Sequence, residues 1–251
     1  MNYDGLPTDY WNRQIARVEE LRRKIAARSL IAAGRVIPDD ADLVIGTGRR
    51  IDATIMFTDI SDFSQRSSNT SDEQEMMLRV LNLYFTEMIR IIEEYGGVVE
   101  KNTGDGLMAY FEDKHAGTGD ENSSKCAIAC ALTMQAANEY LLNPILRASG
   151  VTPIQYRTTI EHGAVTIARI GAPQRFNANV AIGNAANFAS KMLGQIKAND
   201  IGVGRAAWVR LPEYWRNTWT NLAPTSTGWT YGTPPQPYPL YLYLGRWVKL
   251  V

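Results

Sequence analysis

Apolar residues recur along this chain with two spacings. Between residues 9 and 33, Ile15, Val18, Leu21, Ile25 and the Ala26/Leu30 positions return every three to four places. That is the spacing of one helix face. Gly34 stops the helix, and Pro38-Asp39-Asp40 continues as a linker. Residues 49–57, RRIDATIMF, are short and β-branched and predict a strand running into Thr58-Asp59-Ile60-Ser61-Asp62-Phe63. A long helix follows. Thr70 and Glu73 have capping-box spacing, Met77, Leu81, Tyr84/Phe85, Met88 and Ile92 form its apolar stripe, and Gly96-Gly97 ends it.

Residues 98–101 predict a strand, 102–105 a turn and 106–111 the returning strand of a hairpin. The polar stretch 112–124 reads as a loop, and 125–142 as a helix. Residues 156–162 and 164–170 predict a second antiparallel pair turning at Gly163. A helix over 184–196 follows, and residues 201–208 give a strand and then a short helix. Five of six tryptophans lie after residue 205, and five of eleven prolines lie in 224–239. Proline cannot pair within a central strand, so 223–239 reads as a loop and 240–248 as a closing strand. Frequent hairpins alternating with helices predict an α+β sandwich, with helices laid on a sheet.

Composition narrows the class. A chain of 251 residues with 45% hydrophobic and 21% charged residues is globular, in one or two domains. Twenty-six basic and 26 acidic residues give zero net charge, which argues against nucleic-acid coating. Cys126 and Cys130 form no disulfide or zinc framework and read as helix packing. No apolar run approaches the roughly 18 residues of a membrane span. The opening residues lack a basic-then-apolar leader, so no signal peptide is expected. A cytoplasmic protein without a membrane partner is the expectation. Residues 13–35 carry seven basic and two acidic side chains, which favours an amphipathic helix with a solvated face over a partner-helix contact.

Candidate chemistry centres on two carboxylates. Asp59 ends a strand and Asp105 sits in a hairpin turn. Strand ends and turns of one sheet can lie side by side, and two aspartates with a backbone carbonyl suit Mg²⁺ or Mn²⁺. The competing reading makes Asp59 a helix cap and Asp105 a turn former. Asn187 and Lys191 are four apart, on one helix face, where an amide and a cation can hold a ribose and a phosphoryl oxygen. His115 reads as a solvent-facing loop residue and His162 as a structural histidine.

FxDIxxF over 57–63, KxxGD over 101–105, GxxxxxxIG over 163–171 and GNxxNxAxK over 183–191 occur in that order. Together they resemble the catalytic domain of class III nucleotidyl cyclases, over about residues 50–210. The N-terminal helix and Trp/Pro-rich tail look most like the bacterial pyrimidine cyclases of anti-phage Pycsar systems. The resemblance implies a ferredoxin-like, palm-type sandwich with a mainly antiparallel sheet covered by helices. It implies an N-terminal helix and linker over 1–48 and a catalytic domain over 49–251. Asp59 and Asp105 would hold two Mn²⁺ or Mg²⁺ ions, with the Ile60 carbonyl as a further ligand. Phe57, Ile60, Ser61, Asp62, Phe63 and Ser64 would line the substrate site, with the amides from Ile60 to Ser64 receiving phosphates as helix N-termini do. Asn187 would orient the ribose and Lys191 would stabilise charge growing on the α-phosphate. One subunit would supply the aspartates and the other Lys101, Asn187 and Lys191, so a homodimer with two equivalent sites is implied. The cyclic product would act on a downstream effector that does not bind stably.

Three departures shape the reading. Lys191 stands where the family usually has Arg, which keeps the charge but loses the bidentate fork. Val180 stands where adenylate cyclases carry an acidic residue. Tyr231-Gly232 lies roughly where a late Lys-Gly is expected. Lys101 can only donate and Val180 cannot accept, so an edge bearing a carbonyl is favoured. The order is UTP, then CTP, then GTP and ATP. The alternatives are a polymerase or dinucleotide cyclase, against which the missing GG(D/E)EF signature and the Asn187/Lys191 pair argue, and a degenerate dimeric scaffold.

Overall fold

A computed structural model describes residues 5–26, 48–66, 68–102, 104–112, 122–171 and 177–248. Helix α1 (Thr8–Ala26) precedes strand β1 (Gly48–Ile60), a one-turn 3₁₀ helix (Phe63–Gln65) and α2 (Ser71–Glu94). Strands β2 (Val98–Asn102) and β3 (Gly106–Glu112) lead to α3 (Ser123–Ala137), a π-helical turn (Asn138–Leu142) and α4 (Asn143–Ala148). Then come β4 (Tyr156–Gly171), β5 (Asn177–Ile182), α5 (Asn184–Met192), β6 (Ile201–Gly204), α6 (Arg205–Trp208) and α7 (Glu213–Trp219). The chain closes with β7 (Thr220–Leu222), β8 (Thr230–Tyr231), β9 (Gln236–Pro237) and β10 (Leu240–Tyr243).

The main sheet has eight strands in the order β2-β3-β1-β4-β6-β10-β7, with β5 on the far half of β4. All pairs are antiparallel except β4 with β6. The expected α+β sandwich with a mainly antiparallel sheet is therefore the observed architecture. Alternation along β1 sorts its side chains into two layers. Met56 and Ile60 join a core with α2, α3 and Val18 of α1, while Ala53, Ile55 and Phe57 join a second core with α5, Ala223 and Leu240. Both faces of the sheet are thus covered, one by α1 to α3 and the other by α5 and the tail.

The capping box at Thr70 and Glu73 is present, and α2 starts where it predicts. On α1 the apolar face is docked. Tyr10, Trp11 and Val18 are buried. Arg13, Arg22 and Arg23 are solvated as expected, but Arg17 turns inward onto Glu87 of α2, with Nε and Nη2 at 3.0 and 2.7 Å.

One strand assignment is corrected. Residues 156–171 form a single strand that pairs with β1 from Tyr156 to Ala168, and Gly163 lies in mid-strand opposite Ala53. A Cβ there would lie 3.4 Å from that of Ala185, in ordinary contact with α5. The antiparallel partner of the far half is β5. Three more differences follow. α7 and β7 were not expected, the 223–239 segment contains the short β8–β9 ladder, and the closing strand covers only Leu240–Tyr243. Cys130 is buried, Cys126 half-buried, and neither forms a disulfide. Gly34, Pro38 to Asp40 and His115 lie outside the described residues.

Candidate active site

Asp59 is the penultimate residue of β1, with Gly106 of β3 on one side and Arg157 of β4 on the other. The Ile60 amide donates to the Asp105 carbonyl at 2.9 Å, fastening the β2–β3 turn to the end of β1. The two carboxyl groups that are 46 positions apart in sequence therefore meet at one sheet end. Their proximity is felt in the Asp59 pKa, which is raised first by burial and further by the adjacent Asp105, against the pull of Arg157. Arg157 donates from Nε and Nη2 to Asp59 Oδ2 at 3.2 and 2.9 Å.

This arrangement fits hard cations. Two neighbouring carboxylates with incomplete charge compensation favour a divalent ion, and a small protein donor set leaves coordination places for water and phosphate. Among the described residues there is no group of three or more His, Cys, Asp or Glu, so a closed transition-metal cage is not what this site offers.

The turn after β1 departs from expectation. Asp62 adopts a left-handed conformation with φ of 56°, and the helix that follows is only Phe63–Gln65. Its dipole is correspondingly small. The Ile60 and Ser61 amides are already committed, to the carbonyls of Asp105 and Gln155 at 2.9 and 2.8 Å. A phosphate cradle here is thus restricted to the Asp62, Phe63 and Ser64 amides, not the whole 60–64 run. Arg66 pins this turn by donating to the Thr152 and Pro153 carbonyls at 3.0 and 2.7 Å. Asp62 and Ser64 are exposed, Ser61 and Phe63 half-buried. Phe57 is buried in the α5 layer and packs instead of facing solvent.

Lys101 and Val180, the two positions expected to read the base, lie on β2 and β5. Lys101 is placed by its backbone, opposite Met108 and beside an irregularity in the β2–β3 register. Half-buried Val180 pairs with Ala168. The neighbouring Ala181 amide donates to Glu100 Oε1 at 2.9 Å, drawing β5 to β2.

Helix α5 begins after Gly183, where a Cβ would come within 2.8 Å of the Ala164 carbonyl oxygen, so only glycine lets the helix start this close to β4. Ala185, Ala186, Ala189 and Met192 are buried against the sheet. At about 3.6 residues per turn, Asn187 and Lys191 fall on the opposite side, and both are exposed. They point away from the sheet that carries Asp59 and Asp105. The single chain therefore brings the aspartates together and leaves Asn187 and Lys191 facing outward. His162 is structural, with Nδ1 3.0 Å from Thr54 Oγ1.

Arg157 escaped the sequence reading. Its signal was its register opposite Asp59, and the supposed turn at Gly163 gave that strand the wrong partner.

Residues 47–219 match the family described as the adenylate and guanylate cyclase catalytic domain. The chain is 30% identical over 148 residues to adenylate cyclase 1 of Rhizobium meliloti (strain 1021), covering 59% of this chain and 21% of that protein. It is 25% identical over 167 residues to the uridylate cyclase of Rhodovulum sp. (strain MB263), covering 64% of this chain and 65% of that protein. It thus spans less than two thirds of either relative. Among solved structures, the adenylyl cyclase CyaB from P. aeruginosa superposes with a TM-score of 0.64 at 24% identity, over 82% of this chain and all of that one. The guanylyl cyclase Cya2 gives 0.64 at 22% identity, over 79% of this chain and 94% of that one. At such identities the structures speak for the fold.

Proposed function

The chain belongs to the adenylate and guanylate cyclase catalytic domain family, and from that premise we propose that it converts a nucleoside triphosphate to its 3′,5′-cyclic monophosphate and pyrophosphate. The observation that carries this reading is the meeting of Asp59 and Asp105, stitched together by the bond from the Ile60 amide to the Asp105 carbonyl. Both carboxylates and the Ile60 carbonyl would hold two Mg²⁺ or Mn²⁺ ions. Such ions supply positive charge against the triphosphate and acidify the attacking hydroxyl.

The ribose 3′-oxygen attacks the α-phosphorus as the bond to the bridging oxygen breaks. Pyrophosphate departs and the hydroxyl proton passes to solvent. Arg157 beside Asp59 is our candidate for the cation that meets triphosphate oxygens in the role left open by Tyr231-Gly232, through the part of its guanidinium not bonded to Asp59. Asn187 orients the ribose, and Lys191 meets the charge that develops on the α-phosphate. Both face out of their own protomer. In a homodimer each copy's α5 closes the other copy's aspartate pair, giving two equivalent sites.

For the base we favour UTP, because Val180 offers no acceptor to an amine and Lys101 only donates. The uridylate cyclase relative agrees with a pyrimidine. Its family likeness motivates a role as producer of an anti-phage second messenger, read by a separate effector in the cytoplasm. A second reading, ATP, is favoured by the higher identity to adenylate cyclases.

The test is incubation of purified protein with each of the four triphosphates and Mn²⁺, with the product identified by mass spectrometry. Cyclic UMP is expected to dominate. Asp59→Ala and Asp105→Ala should each abolish turnover while preserving the fold and the dimer. Preferential cyclic AMP would overturn the base assignment, undiminished turnover in either variant would remove the metal pair, and no product from any triphosphate would favour a scaffold.

A further inference from the structure

We propose that the tail beyond the family match is a clamp that positions α5, and that Trp229 is its positioning residue. The proposal rests on the reading of Asn187 and Lys191 given above. The family match ends at residue 219, and the clamp residues Trp229 and Tyr238 follow it in the sequence.

The need for a clamp follows from α5 itself. It has nine residues, too few for a helix to hold shape alone. Its inner face, three alanines and one methionine, packs on the sheet, which fixes that side and leaves the flank at Phe188 to another partner. Yet its outer face carries the two side chains whose placement decides the rate.

The tail supplies a second wall. Trp229 stacks on Phe188, with ring centroids 4.5 Å apart and planes 12° from parallel. Phe188 directly follows Asn187 and precedes Lys191 by three positions, so the stack grips the helix between them. Tyr238 closes on the same ring at 5.3 Å. These aromatics are held in turn by the polar groups of the tail. The Tyr238 amide donates to the Trp229 carbonyl at 2.7 Å. Thr227 Oγ1 donates to the Tyr238 carbonyl at 2.7 Å and accepts from the Trp229 amide at 3.3 Å. The loop is bolted to the sheet by Tyr238, whose hydroxyl donates to Glu161 Oε2 of β4 at 2.5 Å and accepts from the Ala206 amide at 3.2 Å. Glu161 is four residues along β4 from Arg157, so one strand anchors both the clamp and the guanidinium beside Asp59.

Misplacing a reacting group by about 1 Å can cost on the order of a hundredfold in rate. Lys191 acts on charge that grows in the transition state, so loosening α5 should lower kcat more than it changes KM. Trp229→Leu keeps apolar volume but removes the stack, and Trp229→Phe keeps a ring.

The experiment measures kcat and KM per folded protomer for wild type, Trp229→Leu and Trp229→Phe on the triphosphate that wild type cyclises, together with their melting temperatures. We expect Trp229→Leu to lose about ten- to a hundredfold in kcat, with KM changed less than about twofold and melting close to wild type, and Trp229→Phe to recover to within about threefold. Unchanged kcat in Trp229→Leu overturns the clamp. So does a loss of kcat that merely tracks a fall in melting temperature, or a Trp229→Phe no better than Trp229→Leu. A wild type that cyclises nothing is a different result. It overturns the cyclase reading, and the clamp with it.

Discussion

Glu161 is a carboxyl group with 1% of its surface exposed, in the middle of a sheet. Burial pushes its pKa up, and the donors around it, Tyr238 and the amides of His162, Ala206 and Ala207, pull it back only in part. The direction fixes a sign. The folded chain keeps this proton to higher pH than the unfolded chain does. The associated stability is complete below the unfolded carboxyl value and is lost as pH rises through the raised folded value. A salt-bridged aspartate behaves in the opposite way. We predict that Glu161→Gln flattens this part of the pH profile, removing a slope of at most about 1.4 kcal/mol per pH unit. Urea midpoints of the two proteins from about pH 4 to about pH 8 check this, and parallel profiles would refute it. Gly204 belongs to the same device, since a Cβ there would come within 1.9 Å of Glu161 Oε2. At this scale the sequence showed Asp59 and Asp105, because motif spacing marks them. It hid Arg157 and Glu161, whose meaning comes only from what lies across the sheet.

Helix α1 shows the same limit one level up. Its apolar spacing was legible, and Val18 is buried where that spacing puts it. Arg17 was not legible, because its partner Glu87 lies 70 positions later. The Glu87 side chain is wholly buried and that of Arg17 is 16% exposed. Arg17 also reaches Glu94, which accepts from Tyr10 as well. Removing the arginine leaves a buried carboxylate without its cation, with the Gln14 Nε2 bond at 3.3 Å remaining, so Arg17→Ala should destabilise the fold by about 3–5 kcal/mol. Chemical denaturation measures this, and a cost below about 1 kcal/mol, as for an exposed pair, would mean that α1 docks by its apolar face alone. Strand β1 was legible because it is rich in apolar and β-branched residues. β4 was not, because Gly163 looks like a turn until its pairing with Ala53 across the sheet is in place. The single-turn helix after Asp62 was equally hidden, since FxDIxxF says nothing about which amides the β2–β3 turn and the 149–155 segment will claim.

The two-layered sheet sets what a whole protomer can and cannot do. Its aspartate pair sits at a strand end, and its Asn187–Lys191 face looks the other way, so under the proposed function one copy would hold two half-sites turned apart. If two copies close each other's sites, lesions in different halves must complement. Asp59→Ala and Lys191→Ala should each be inactive as homodimers. In a mixed dimer one site carries both lesions and the other carries none. Random assortment of equal amounts makes half the dimers mixed, with one working site in each, so activity should return to about a quarter of wild type. Asp59→Ala mixed with Asp105→Ala places both lesions in the same half, and no mixing ratio should restore it. Co-refolding followed by a cyclisation assay reads both mixtures. Silence in the first mixture would mean that each protomer completes its own site, and α5 would then have to turn its outer face toward Asp59, against the packing of Ala185, Ala186, Ala189 and Met192 on the sheet.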